Sequence, residues 1–284
     1  MLPHLTAPRA SGSTAAALQT RLRYYFLAMT NIELPFDLAA ATAHLSASDP
    51  CLAKLIDELL PFEPEIDHTQ SPYEALMEAI VYQSISGKAA ATIFARVKAL
   101  SGASRGEALA RDGRVPSPEE VLQLSKQKLR KAGLSGAKIL SMKDLAQKTI
   151  DGIVPTHDEA LKLSDEELVE RLDSVRGIGR WTVEMFLIFR LGRPDVLPIH
   201  DLGVQKGWSV AYRKKHKPRP KELLKFGERW RPYRTVASWY MWRAFEKAGY
   251  AATNKIKEPR AKRKVRVKIR RVKVLLRKNA QKKK

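Results

Sequence analysis

Leu172-Asp173-Ser174-Val175-Arg176-Gly177-Ile178-Gly179-Arg180-Trp181-Thr182 decides the fold of this chain. A polar helical segment leads in, a Gly-x-Gly hairpin turns the backbone, and a second helical segment leaves. Gly177 and Gly179 permit backbone angles that bulkier residues resist, and they let an anion come close. A helix opened by Gly179 starts with unpaired N–H groups, so the hairpin predicts a phosphate site that ignores base sequence. The same glycines also serve an ordinary helix–helix turn. Val175 before the turn, Ile178 placed to pack between the helices, and Thr182 after it favour the phosphate site. Asp201 follows twenty residues after Trp181, in Leu197-Pro198-Ile199-His200-Asp201. A carboxylate delivered beside a phosphate site points to chemistry on DNA as well as binding.

Outward from the hairpin the pattern is helical almost throughout. Candidate helices cover 37–46, 50–60, 72–85, 87–101, 117–122, 125–132, 137–148, 158–162, 164–172, 179–189, 201–212, 220–227 and 235–247. Ser71-Pro72, Asp49-Pro50 and Ser117-Pro118 place proline at a first helical position, and Ser164-x-x-Glu167 reads as a capping box. Residues 15–27 could add a short helix. Strand alternation occurs only at 265–270, where charge opposes a buried strand. There is no internal repeat. Linkers are expected near 113–116 and 152–155. The chain is expected to be all-α: a flexible 1–36, a helical domain over 37–254, and a basic, disordered 255–284.

Composition sets the partners. The 284 residues are 44% hydrophobic, enough for a real core. The net charge is +22. Residues 255–284 carry sixteen Lys/Arg and one acid, Glu258, so +15 of that charge sits in the tail and +7 in the other 254 residues. Nucleic acid is the natural partner of both parts. Arg260-Ala-Lys-Arg-Lys264 also fits a signal read by a nuclear import receptor. The first 32 residues hold no Asp or Glu, which admits an organellar transit peptide as well as a floppy terminus. A single cysteine, Cys51, excludes a disulfide framework, a cysteine-based zinc site and a four-cysteine iron–sulfur cluster. No apolar run reaches membrane-spanning length.

Four stretches then carry a resemblance. They are Ala79-Ile80-Val81-Tyr82-Gln83-Ser84-Ile85-Ser86-Gly87-Lys88-Ala89-Ala90, Ala132-Gly133-Leu134-Ser135-Gly136-Ala137-Lys138, the hairpin Val175–Thr182, and 197–207 with Asp201. Arg229-Trp230-Arg231-Pro232-Tyr233-Arg234 adds a fifth. Together, over roughly 37–250 and in order, they resemble the helix-hairpin-helix DNA glycosylase superfamily, and most its alkylpurine branch, the DNA-3-methyladenine glycosylase II type. The resemblance implies a compact two-lobed helical bundle with the active-site cleft between the lobes.

It also implies roles. Asp201 matches the catalytic aspartate, which stabilises positive charge on the sugar and orients or deprotonates water; the same residue could be only an N-cap. Lyase relatives place a nucleophilic lysine just after the hairpin. Tryptophan stands there, so a monofunctional enzyme that leaves an abasic site is expected. Trp181 and Trp242 match base-pocket positions, Met185 stands where relatives can have an aromatic, and Tyr240 is a further pocket candidate or a core residue. Aromatic faces select cationic alkylated bases by stacking. Gln83 would face the orphaned partner base, with Ser84 or Ile85 filling the gap left by the extruded one. Gly177, Gly179, Arg180, Thr182 and Lys206 are candidate DNA contacts, with the basic run 213–219 as a further one.

No cofactor is expected to be required. The backbone carbonyls of Val175 and Ile178 are candidates to hold Na+ or K+. The partner would be double-stranded DNA with alkylated bases, the protein a monomer, and the location nuclear, with mitochondria as the alternative. Two other readings stay open: a glycosylase for deaminated or oxidised bases, and a non-catalytic DNA-binding module.

Overall fold

The computed structural model describes residues 34–59, 61–64, 66, 71–101 and 114–257, the last eight without their side chains. By internal contacts the chain parts into Met1–Pro35 and Phe36–Lys284. The fold described here is that of the second unit. The expected 15–27 helix, the alternating run at 265–270 and the basic tail beyond Lys257 lie outside the described residues, as does nearly all of the expected flexible 1–36.

Thirteen α-helices and no strand occur among the described residues. They are α1 (Leu38–Ser48), α2 (Pro50–Glu58), α3 (Pro72–Tyr82), α4 (Gly87–Lys98), α5 (Pro118–Gln123), α6 (Lys126–Lys131), α7 (Gly136–Ile150), α8 (His157–Lys162), α9 (Asp165–Asp173), α10 (Arg180–Phe189), α11 (Leu202–Ala211), α12 (Pro220–Gly227) and α13 (Arg234–Lys257), with a 3₁₀ turn at Glu228–Trp230. Local chemistry starts most of them. Ser71, Ser117 and Ser164 each accept the backbone N–H three residues on, and Glu74, Glu120 and Glu167 reach back to the cap.

The helices sort into two lobes. One is built from both ends of the described chain: α1, α2, α11, α12, the 3₁₀ turn and α13. The other is continuous, α3 to α10. Leu76, Met77 and Ile80 of α3, Met142 and Leu145 of α7, and Val183 and Leu187 of α10 fill the core of the continuous lobe. In the first lobe the buried Asp49 ties distant elements together. It caps α2 and accepts the Tyr212 hydroxyl at 2.6 Å and the Trp230 indole N–H at 3.1 Å.

Two boundaries differ from the sequence reading. The expected 72–85 helix stops at Tyr82, because the ammonium of Lys138 takes the carbonyls of Val81 and Gln83 at 2.6 and 2.8 Å. The backbone then turns through Ser84 at φ 59°, the left-handed region. The last helix continues to Lys257 rather than ending near 247, so the expected boundary at Asn254 falls inside it. No proline interrupts the chain there before Pro259.

Candidate active site

The hairpin sits between α9 and α10. Val175 and Ile178 are buried, and the Ile178 N–H closes the turn on the Val175 carbonyl at 3.0 Å. Gly177 takes φ +79°. A Cβ on it would lie 2.6 Å from Ser141 Oγ, so α7 also demands glycine there. The turn is fastened to α7 a second time. The Arg176 N–H donates to Asp144 Oδ2 at 2.7 Å, and Lys148 reaches both Asp144 and the Ser174 carbonyl. Burial pushes the Asp144 carboxyl up, but these donors outweigh it and hold the group below the usual carboxylate range.

Gly179 opens α10 with no side-chain cap. The first amides of the helix therefore keep no side-chain acceptor, and Gly177, Gly179 and Arg180 are exposed beside them. Geometry and helix dipole together suit such an end to an anion. Arg180 is ion-paired with Glu166 across the exposed surface of α9. Thr182, a predicted DNA contact, is buried instead.

Asp201 lies one hydrogen bond from the hairpin helix. It caps α11, with Oδ1 accepting the Val204 N–H at 2.7 Å. The same oxygen accepts the Trp242 indole N–H at 2.8 Å, and Oδ2 accepts that of Trp181 at 2.8 Å. Oδ1 has two donors and is filled, whereas Oδ2 has one donor among the described residues and keeps acceptor capacity.

A cavity of about 500 Å³ opens between α3 and α10, and Trp181, the donor to Asp201 Oδ2, lines it although Asp201 itself does not. Trp181, Met185 and Phe189 line it from α10 at helical spacing, and Glu78, Tyr82 and Gln83 line it from α3. Thr182 belongs to the same wall. Trp242 stands behind rather than within the cavity, stacked on Phe189 at 5.8 Å between ring centroids. Trp181 is 47% exposed, a large aromatic surface left to a partner. Burial, aided by the Glu78 charge, raises the Tyr82 hydroxyl above its usual range, so it stays a donor at neutral pH.

Of the two readings open for Tyr240, pocket or core, the core one holds. Tyr240 is 1% exposed, packs edge-on against Trp239 and does not reach the cavity. Gln83 donates its side-chain amide to the Gly177 carbonyl at 2.8 Å, joining α3 to the hairpin. Ser84 borders the cavity, and Ile85 projects beyond it, 39% exposed. Lys206 is exposed, with its ammonium 5.2 Å from the centre of the Phe245 ring.

Sequence reasoning passed over several residues that build this site. Gly203 is one: a Cβ there would lie 2.7 Å from Trp242 Cδ1 and 3.0 Å from Asp201 Oδ1. Glu184 is another. It is 5% exposed and its Oε2 has no hydrogen-bond partner. Burial pushes it up to about 7; Arg180 opposes that, and the charges of Asp201 and Glu166 add to it. Phe189 was legible in principle, four residues beyond Met185, and Tyr82 directly before Gln83.

Comparison with known proteins converges on the same segment. The profile of the HhH-GPD superfamily base excision DNA repair proteins matches residues 77–232. DNA-3-methyladenine glycosylase 1 of Schizosaccharomyces pombe is 39% identical over 219 residues, covering 77% of this chain and 92% of that protein. The solved structure of the Schizosaccharomyces pombe 3-methyladenine DNA glycosylase in complex with abasic DNA aligns at TM-score 0.62 and 39% identity, over 72% of this chain and 95% of that one. A DNA-3-methyladenine glycosidase from Bacillus halodurans aligns at TM-score 0.63 and 32% identity, over 72% of this chain and 88% of that one.

Proposed function

The chain belongs to the HhH-GPD superfamily of base excision DNA repair proteins, and from that premise we propose how its site works as a DNA-3-methyladenine glycosylase. It binds DNA and excises alkylated purines in base excision repair. The observation that carries the mechanism is the carboxylate of Asp201, held by the indole N–H groups of Trp181 and Trp242 at the edge of an aromatic cavity.

The target base leaves the stack and enters the cavity, at a cost of a few kcal/mol. The free amides of α10 hold the neighbouring phosphate without reading sequence. As the bond between C1′ and the base nitrogen stretches, positive charge grows on the sugar. Asp201 Oδ2, the oxygen with acceptor capacity left, stabilises that charge and orients water for attack. A 3- or 7-methylated purine already carries positive charge, so it departs with little proton donation. The exposed face of Trp181 favours such a base by stacking. Trp181 offers no amine, so no Schiff base forms at that position, and the product is an intact strand with an abasic site.

The unfilled gap in the duplex falls to the turn at Ser84 and Ile85, with the exposed Ile85 as the wedge. Na+ or K+ at the hairpin would be held by the carbonyls of Val175 and Ile178. The Val175 oxygen also accepts the Ile178 amide, which leaves it one lone pair for an ion. Bound there, the ion supplies positive charge towards a phosphate. A monomer acting in the nucleus, with the tail read by an import receptor, completes the proposal.

Base release from methylated DNA tests it. Wild type should release free methylated purine, and Asp201→Asn should lose on the order of 10²-fold or more in rate while melting normally. An Asp201→Asn protein with full rate, or borohydride trapping of wild type on DNA, defeats the mechanism.

A further inference from the structure

The cavity wall carries an ion pair that the mechanism above does not use. Glu78 Oε2 and Arg190 Nη2 are 2.9 Å apart, and both side chains line the cavity, 23% and 21% exposed. They join α3 to the residue that ends α10. Most of the remaining lining is apolar: Ala75, Leu76, Ala79, Met185, Phe186 and Phe189. Removing an ion pair from water into such surroundings is costly, and a purely structural tie does not require it. Gln83, another polar neighbour, spends its amide N–H on the Gly177 carbonyl.

Resting on the glycosylase reading, we propose that Glu78 and Arg190 read the edge of the extruded base, selecting purines that present a hydrogen-bond donor next to an acceptor. An ionised glutamate only accepts and a guanidinium only donates, so the pair offers complementary partners side by side. The Glu78 carboxylate has acceptor sites beyond the one facing Arg190. The 6-amino group of 3-methyladenine, with a neighbouring ring nitrogen, satisfies both. So do the N1–H and O6 of 7-methylguanine. In 1,N6-ethenoadenine the added ring removes the amino protons, and Glu78 would face a base edge with no donor. A site built to hydrogen-bond its substrate rejects an analogue lacking the donor far more strongly than an apolar pocket rejects a change of size. Trp181 links this wall to the chemistry, since one ring lines the cavity and donates to Asp201.

The test compares wild type, Glu78→Gln and Glu78→Asp of the full chain. The measurements are single-turnover release of 3-methyladenine and of 1,N6-ethenoadenine, and affinity for abasic-site DNA, which contains no base to read. Glu78→Gln should slow 3-methyladenine release at least tenfold. Abasic-DNA affinity should stay within twofold, ethenoadenine release should not fall, and Glu78→Asp should recover at least threefold of the loss. A Glu78→Gln rate within threefold of wild type, or a loss shared by abasic-DNA binding, overturns the proposal and leaves the glycosylase reading standing. Wild type releasing no alkylated base would overturn that reading first, and this one with it.

Discussion

The Trp181 indole N–H and the Asp201 carboxylate meet at 2.8 Å across the two lobes. Trp181 belongs to the hairpin helix and Asp201 to the cap of α11. One ring therefore lines the cavity and holds the carboxylate at once. On the proposed mechanism, a shift of the hairpin helix would carry the Asp201 carboxylate with it.

Trp181→Phe separates those roles. Phenylalanine keeps an aromatic face for the base and removes the donor to Oδ2. A hydrogen bond to a charged group contributes about 1.5–3 kcal/mol, so the single-turnover rate should fall roughly 10- to 100-fold. Affinity for abasic DNA should change little. Trp181→Ala should lose more, because stacking goes too. Equal rates for Trp181→Phe and wild type would detach the indole N–H from catalysis.

Two glycines four residues apart on α11 should behave differently. A Cβ at Gly207 would meet the Met241 carbonyl oxygen at 1.8 Å, a clash with backbone that only separation of α11 from α13 relieves. Gly207→Ala should therefore cost several kcal/mol or prevent folding. At Gly203 the clash is with the Trp242 ring at 2.7 Å, and a side chain can move. Gly203→Ala should melt within a few degrees of wild type yet lose at least about tenfold in base release, as Trp242 leaves Asp201. Thermal melting alongside single-turnover kinetics reads both.

Glu184 gives the fold a pH dependence. Its carboxyl is buried and pushed up to about 7 from an unfolded value near 4.5. The folded protein thus binds more protons than the unfolded one between those values, and stability falls as pH rises through that window. The charges acting on the group are Arg180, Asp201 and Glu166. Glu184→Gln should raise stability above pH 7 by an amount of order 2 kcal/mol and leave it nearly unchanged at pH 4.5. Urea midpoints at the two pH values decide it; parallel shifts at both would show that ionisation is not the cause.

Much of this was legible from the amino-acid sequence because it depends on local chemistry. Serine and aspartate before proline marked helix starts, and the Gly-x-Gly turn with Asp201 beyond it marked the site. What was missed depends on elements that meet late in the chain. The need for glycine at 203 and 207 exists only because α13 crosses α11 there. Tyr240, left between pocket and core, falls to the core for a geometric reason. It is two residues from Trp242 on one helix, about 200° around the axis, so a tryptophan turned to Asp201 turns the tyrosine into the core. The end of α3 was overrun because the Lys138 ammonium that stops it comes from 55 residues further on.

Lys138 supplies the last prediction. Its ammonium bridges the carbonyls of Val81 and Gln83, directly before the turn at Ser84 and the exposed Ile85. Two carbonyls at the end of a helix lack intrahelical partners, and a cation there answers both the hydrogen bonds and the dipole. Lys138→Met keeps the apolar stem and removes the charge. Stability should fall by about 1–3 kcal/mol, because two partly buried carbonyls lose their donor. The larger effect should be on DNA. With the turn no longer held, Ile85 should enter the duplex less well, and 2-aminopurine opposite a lesion should show reduced unstacking when enzyme binds. Lys138→Arg, which returns the cation, should recover part of both losses. Wild-type unstacking by a destabilised Lys138→Met protein would confine this lysine to folding and free the wedge turn from its control.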